Sequence, residues 1–343
     1  MPWSHIQGHD RWIMVFRHVV ERRRLGHAYL FVGPEGVGKR LFALELARSL
    51  LCERNLPDQL EACGECEACT LFAAGTHPDF YLVDRPEGKN TLPIEVLREL
   101  CQAFALKPAR SRGKIAVIEN ADDFNEDAAE EAANCFLKTL EEPPPRSLFI
   151  LLSTSLERQL PTIRSRCQVI RFAPLAENVV AGILSKQGVG DPQLAARLVK
   201  LAAGSPAQAL ALGDPALWQF RGKLLHGLAQ PRVDVFGMAK AFVEFVEDAG
   251  KEAAAQRRRA ALVLKLLMEA LADVLDIHAA GSAAAVPAED RAILESLARR
   301  AQPDRILAIL ERCLEAEQQL DRYIQVGLVI EALLDAVARM LES

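Results

Sequence analysis

The octapeptide Gly33-Pro34-Glu35-Gly36-Val37-Gly38-Lys39-Arg40 constrains this chain more than any other stretch. It lies between an apolar run, Ala28 to Val32, and a helical pattern beginning near Leu41. That is the strand-loop-helix setting of a phosphate-binding loop. In such a loop Gly33, Gly36 and Gly38 let backbone N–H groups turn inward on phosphate oxygens, the helix N-terminus adds its positive end, and Lys39 reaches the outer phosphates. A tight strand-to-helix connection is the plainer reading of the same glycines. One position departs from the pattern. Ser or Thr belongs after the lysine because its hydroxyl coordinates Mg²⁺, and Arg40 is a bulky cation with no acceptor lone pair. The stretch predicts an α/β domain with a parallel sheet whose metal ligand has been removed.

A second departure follows from the strand Ile115 to Ile118, which ends in Glu119-Asn120-Ala121-Asp122. Parallel α/β sheets bind ligands at the C-terminal ends of their strands. A nucleotide hydrolase needs a carboxylate there for the Mg²⁺ shell and a neighbouring Glu to polarise water. Glu119 fits the first role, but Asn120 cannot accept a proton. The next strand, Leu148 to Leu152, ends at Ser153-Thr154-Ser155, where Thr154 would lie beside a γ-phosphate or simply end the strand.

Cys52, Cys63, Cys66 and Cys69 crowd one short segment, the last three two residues apart. Thiolates so spaced can converge on one tetrahedral Zn²⁺, with Gly64 relieving the turn; buried or free thiols are the other reading. His77 is a spare ligand nearby, although its place before Pro78 also suits a turn into the strand Phe80 to Val83. Cys101, Cys135, Cys167 and Cys313 stand alone and read as core filling.

Around these motifs the periodicity predicts helices at 12–24, 92–104 and 126–141, the last stopped by Pro143-Pro144-Pro145, and a strand at Gln168 to Phe172. A polar connection at 87–90 precedes the second of these helices. Lys107, Arg110, Arg112 and Lys114 form a basic run, read as a solvated loop or as a contact to DNA phosphates. Short helices follow to residue 213, and the chain is helical from Asp214 onward, with a small-residue linker at 281–286. At 343 residues the chain holds two or three domains. A net charge of −5 gives no global basic field, so contact with nucleic acid needs a local patch or a partner. Residues 1–10 do not read as a signal peptide, and no apolar stretch approaches the roughly 20 residues of a membrane span, so a cytoplasmic location is expected.

Several segments together resemble bacterial DNA polymerase III clamp-loader subunits: Ala28-Tyr29-Leu30-Phe31, the Gly33 to Lys39 loop, the four cysteines, His77-Pro78-Asp79, Leu137 to Pro144 and Ser165-Arg166-Cys167. The resemblance covers at least residues 5–213. It implies an AAA+ P-loop-type core over residues 1–173 with a zinc module at about 52–69, a small helical lid over 174–213, and an all-helical collar over 214–343 that joins subunits. It also implies that Arg166 enters a neighbouring subunit's ATP site as an arginine finger.

Within that family the chain is either an ATP-hydrolysing, gamma/tau-like motor or a mainly structural subunit. The motor needs the loop hydroxyl, a carboxylate pair and a lid arginine. Arg40, Asn120 and the lid segment Gly204 to Leu210, with Ala207 and Gln208 where a cation is wanted, fail these in turn. The structural class is therefore expected, with no ATP hydrolysis by the isolated chain. Gly33, Gly36, Gly38, Lys39 and Thr154 become a degenerate nucleotide site in which weak binding stays open. The expected cofactor is one structural zinc on Cys52, Cys63, Cys66 and Cys69. The expected partners are gamma/tau-like ATPases, a delta-like subunit, the sliding clamp and primed DNA, with no membrane.

Overall fold

The computed structural model describes residues 2–54, 59–86, 92–123, 130–281 and 286–342. The chain divides into two compact units, residues 1–208 and 209–343. The expected polar connection at 87–90, the first residues of the helix expected from 126, and most of the linker at 281–286 lie outside the described residues.

The first unit is built on five parallel strands: β1 (Ala28–Val32), β2 (Phe80–Val83), β3 (Lys114–Ile118), β4 (Ser147–Ser153) and β5 (Gln168–Arg171), in the order β2-β3-β4-β1-β5. Parallel neighbours require crossover connections, and these carry α2 (Lys39–Leu51), α3 (Glu67–Ala73), α4 (Ile94–Ala105), α5 (Glu130–Glu141) and α6 (Pro161–Arg164), while α1 (Asp10–Glu21) leads into β1. Every residue of β1, β3 and β4 is buried, because both faces of the sheet are covered. Phe16, Phe31, Phe42 and Phe172 cluster on one face, and Phe104, Phe136 and Phe149 on the other.

The strands begin and end within one residue of their expected bounds. The helix expected at 12–24 stops at Glu21, because Arg23 turns into the left-handed region at φ 53°. The short helices α3 and α6 were not anticipated; seven and four residues are too few to display a helical period. Further along come α7 (Glu177–Lys186), α8 (Pro192–Ala202) and α9 (Pro206–Leu212), and the division between the units falls inside α9.

The second unit contains α10 (Pro215–Leu228), α11 (Val235–Glu247), α12 (Ala253–Ala280), α13 (Ala288–Arg300), α14 (Pro303–Asp321) and α15 (Val326–Glu342). Asp214 and Asp234 cap α10 and α11 by accepting from Ala216 N–H and Gly237 N–H. Arg221 is 2% exposed and paired with Asp290 at 2.8 Å and Glu269 at 3.5 Å. Arg300 donates to the carbonyls of Leu228, Gln230, Pro231 and Leu341, so one guanidinium serves the ends of α10 and α15 and the turn that follows α10. Arg300→Ala is expected to lower the stability of this unit by about 1–2 kcal/mol, read as a shift in urea midpoint at unchanged slope, because two part-buried and two exposed carbonyls lose a charged donor. Among the described residues, no helix is long and apolar enough to cross a membrane.

Candidate functional site

The Gly33 to Arg40 loop joins β1 to α2. Gly36 and Gly38 take φ of 77° and 105°, conformations that side-chain-bearing residues rarely adopt. Gly36 also faces the start of α9, where an added Cβ would come within 2.7 Å of Ala207 Cβ. On its other side the loop meets His9, whose buried ring hydrogen-bonds through Nε2 to the Val37 carbonyl at 2.7 Å. Burial pushes the His9 pKa down, only partly opposed by that carbonyl and Asp10, so the ring donates as a neutral imidazole.

Lys39 is 8% exposed and donates from Nζ to the carbonyls of Gly33 at 2.5 Å and Pro34 at 2.7 Å. Its ammonium is folded back over its own loop. Burial lowers its pKa, opposed by the charges of Asp122 and Glu35. Arg40 forms an ion pair from Nε to Glu119, the carboxylate that a hydrolase would turn toward Mg²⁺. A guanidinium thus rests on that carboxylate, cation for cation. Asn120 sits in the left-handed region at φ 51° and donates from Nδ2 to Asp84 at 2.7 Å.

Thr154 is exposed at the end of β4 and bound to Asp122 through both its N–H, at 2.8 Å, and its hydroxyl, at 2.6 Å. Asp122 also accepts from Ser153 Oγ and Gln159 Nε2. The roles of His9 and Asp122 escaped the sequence reading. Each acts on a loop or strand end distant in the chain, and no spacing rule marks them.

The four cysteines of the 52–69 segment converge: their sulfurs all lie within 4.8 Å of one another, with Cys52 to Cys66 at 3.9 Å and Cys63 to Cys69 at 4.0 Å. A tetrahedral zinc with Zn–S bonds of about 2.3 Å needs sulfurs about 3.8 Å apart, so the donor set fits that ion. Backbone N–H groups of Cys63, Cys66 and Cys69 point at the sulfurs of Cys52, Cys63 and Cys66. Burial pushes the Cys66 thiol up, but the N–H groups of Glu53 and Cys69 and the side chains of Cys69 and Cys63 together draw it down to about 6, while burial pushes its neighbour Cys69 up to about 12, so without a cation one thiolate is favoured in the group. Gly64 takes φ 78° in the turn between them. His77 is not part of this group. Its Nδ1 accepts the Asp79 N–H at 3.1 Å, and Asp79 in turn holds the N–H groups of Ala109, Arg110 and Ser111.

The basic run is mostly consumed by structure. Arg110 bridges Glu53 and Glu67 of the cysteine segment, and the Lys114 ammonium donates to the Ala103 carbonyl. Lys107 and Arg112 remain exposed. At the end of α6, Arg166 lies half-covered, donating to the Thr162 carbonyl at 2.8 Å and Ser165 Oγ at 3.2 Å and ion-paired with Glu141. It sits on the opposite end of the sheet from the phosphate loop, just before β5, so it cannot serve that loop within the same chain.

A family model described as DNA polymerase III, delta subunit, matches residues 8–176. The DNA polymerase III subunit delta' of Escherichia coli (strain K12) is 32% identical over 296 residues, 86% of this chain and 83% of that protein. Its namesake in Pseudomonas aeruginosa is 36% identical over 210 residues, 60% of this chain and 62% of the relative. The tau/gamma subunit of Haemophilus influenzae is 32% identical over 221 residues, 63% of this chain but 31% of its own length. Among solved structures, a gamma subunit-related protein from Thermotoga maritima superposes with a TM-score of 0.46 at 15% identity, covering 96% of this chain and 100% of that one.

Proposed function

Because the chain belongs to the family of DNA polymerase III delta' subunits, we propose that it is a non-hydrolysing subunit of a clamp loader. In this reading it supports placement of the sliding clamp on primed DNA, beside gamma/tau-like ATPases and a delta-like subunit in the cytoplasm. It lends Arg166 to the ATP site of a neighbouring motor and carries one structural zinc on Cys52, Cys63, Cys66 and Cys69.

The ion pair of Arg40 with Glu119 carries the first part of this reading. Metal-assisted phosphoryl transfer needs an oxygen ligand after the loop lysine and a carboxylate free to hold the Mg²⁺ shell. Here the first is a cation and the second is neutralised by it. Asn120 supplies no base, and Lys39 would have to leave two carbonyls before touching a phosphate. Relatives named tau/gamma and tau align over 221 and 220 residues, so family likeness alone does not separate motor from structural subunit. The side chains on the loop support the structural reading.

The second part rests on chemistry at the other end of the sheet. A guanidinium stays charged at any working pH and meets a phosphate with two parallel N–H bonds, which suits stabilisation of charge on a transferring phosphoryl group. Ser165 and the Thr162 carbonyl hold one edge of Arg166, leaving a group that needs only release from Glu141 to reach outward.

The purified chain is expected to show no Mg²⁺-dependent ATP hydrolysis and to bind labelled ATP no more tightly than about millimolar. Lys39→Ala should change neither result. Hydrolysis that disappears in Lys39→Ala would establish the motor reading instead.

A further inference from the structure

β2 ends the strand order and pairs with β3 alone. The carbonyls of Asp79 and Val83 accept the N–H groups of Ile115 and Glu119, so residues 79, 81 and 83 face β3 while Phe80 and Leu82 turn their backbone outward. The Phe80 N–H is used by the His77 carbonyl; the Phe80 carbonyl and both backbone polar groups of Leu82 have no partner among the described residues. A free edge is a template for another strand, and charge or proline usually blunts it. β2, Phe80-Tyr81-Leu82-Val83, carries neither, and Leu82 is 42% exposed. A groove of about 800 Å³ is lined by all four of its residues. Leu44, Glu45 and Arg48 of α2 wall it on one side, Glu99 and Leu100 of α4 on the other, because the two helices cover opposite faces of the sheet. Phe72 of α3 joins the α2 wall, its ring centroid 4.4 Å from that of Phe80, and α3 is anchored where it starts by Cys66 and Cys69.

The charge of the groove selects its occupant. Glu45 is 4% exposed; its Oε2 faces Arg48 at 3.4 Å and His5 at 3.7 Å, but its Oε1 is buried with no hydrogen-bond partner. Burial pushes this carboxyl up to about 7, and Arg48 opposes the shift only in part. A buried oxygen left without a donor is costly, and a donor carried in by a ligand removes that cost. Across the groove Glu99 is exposed and has no ion pair among the described residues. With Arg48 spent on Glu45, what remains is an apolar slot with a negative balance. We infer that this groove docks an extended peptide of a partner protein, which adds a strand to the free edge of β2 and sets basic side chains against Glu45 and Glu99. Main-chain bonds to Leu82 and Phe80 hold such a strand, and its apolar side chains take the remaining lining. Successive side chains of a strand point to opposite sides, so two basic residues an odd number apart reach the α2 and α4 walls together.

The test is fluorescence polarisation of the full chain, prepared without chelator, against a labelled, N-acetylated hexapeptide Val-Lys-Leu-Val-Lys-Leu, whose lysines fall on opposite sides when it is extended. Saturable binding is expected, weakened about tenfold by Glu45→Gln and about threefold by the more exposed Glu99→Gln. The same peptide with glutamates for lysines should not bind. N-methylation of its peptide nitrogens should abolish binding as well, because it removes the donors to β2 while leaving the protein unaltered, so this comparison stands even should a variant misfold; thermal unfolding checks the variants. No saturation by the parent peptide below about 1 mM would overturn the inference. Equal affinity of the N-methylated peptide would also overturn it, leaving a pocket for side chains or small amines in place of a strand site. Unchanged affinity in both variants would reduce the binding to non-specific attraction by an acidic chain. A labelled oligonucleotide that binds and is displaced by the peptide would assign the groove to nucleic acid instead.

Discussion

Chelation at neutral pH is expected to release one zinc ion per chain and to unfold the cysteine segment together with what leans on it. Structural zinc sites in small peptides contribute as much as about 10–16 kcal/mol. Only part of that should appear here, because the 52–69 segment is also tied down by protein contacts. Trp3 Nε1 donates to the Leu60 carbonyl at 2.7 Å, Arg17 pairs with Glu61, and Arg110 joins Glu53 to Glu67. The same ties carry the disturbance outward. A drop of several kcal/mol in the stability of the first unit is expected, with Cys66→Ser reproducing it without chelator. Acid should act in the same direction, since the ligands must be thiolates for the ion to stay. Mass spectrometry under native conditions and thermal unfolding read both effects. Protein prepared without chelator and found metal-free would remove the zinc assignment.

Arg166→Ala is expected to slow ATP turnover at the neighbouring motor's site by about 10³-fold or more in the reconstituted complex with primed DNA, on the scale of arginine fingers elsewhere. Arg166→Lys should recover little, because an ammonium lacks the planar pair of donors. Glu141→Gln distinguishes chemistry from mere retention. The Arg166 to Glu141 pair is partly exposed and therefore weak, so removing it should alter turnover only by a small factor while leaving the finger able to act. Single-turnover measurement isolates the affected site from its companions. Turnover unchanged in Arg166→Ala would end the trans role.

Much of the fold was legible because burial on both faces of a parallel sheet writes itself as apolar runs. Ala28 to Val32 and Ile115 to Ile118 could be placed from composition alone, and the cysteine spacing announced a cluster that the sulfur positions form. What stayed hidden depends on partners far along the chain. Arg40 reads as a missing hydroxyl, but nothing local says that its guanidinium will find Glu119, 79 residues away. The basic run reads as four free cations, yet Arg110 and Lys114 are spent on Glu53, Glu67 and the Ala103 carbonyl.

The Arg40 to Glu119 contact also bears on how such a chain can change over generations. Replacing Arg40 with Ser would return a hydroxyl to the loop, but Glu119 would lose its counter-charge while Asn120 still supplied no base and Lys39 remained seated on Gly33 and Pro34. Each single reversal therefore removes an existing interaction before any catalytic gain can appear. On the non-hydrolysing reading proposed above, a lineage that has installed this pair is held there by the order in which mutations must arrive, a one-way gate set by the interdependence of the residues.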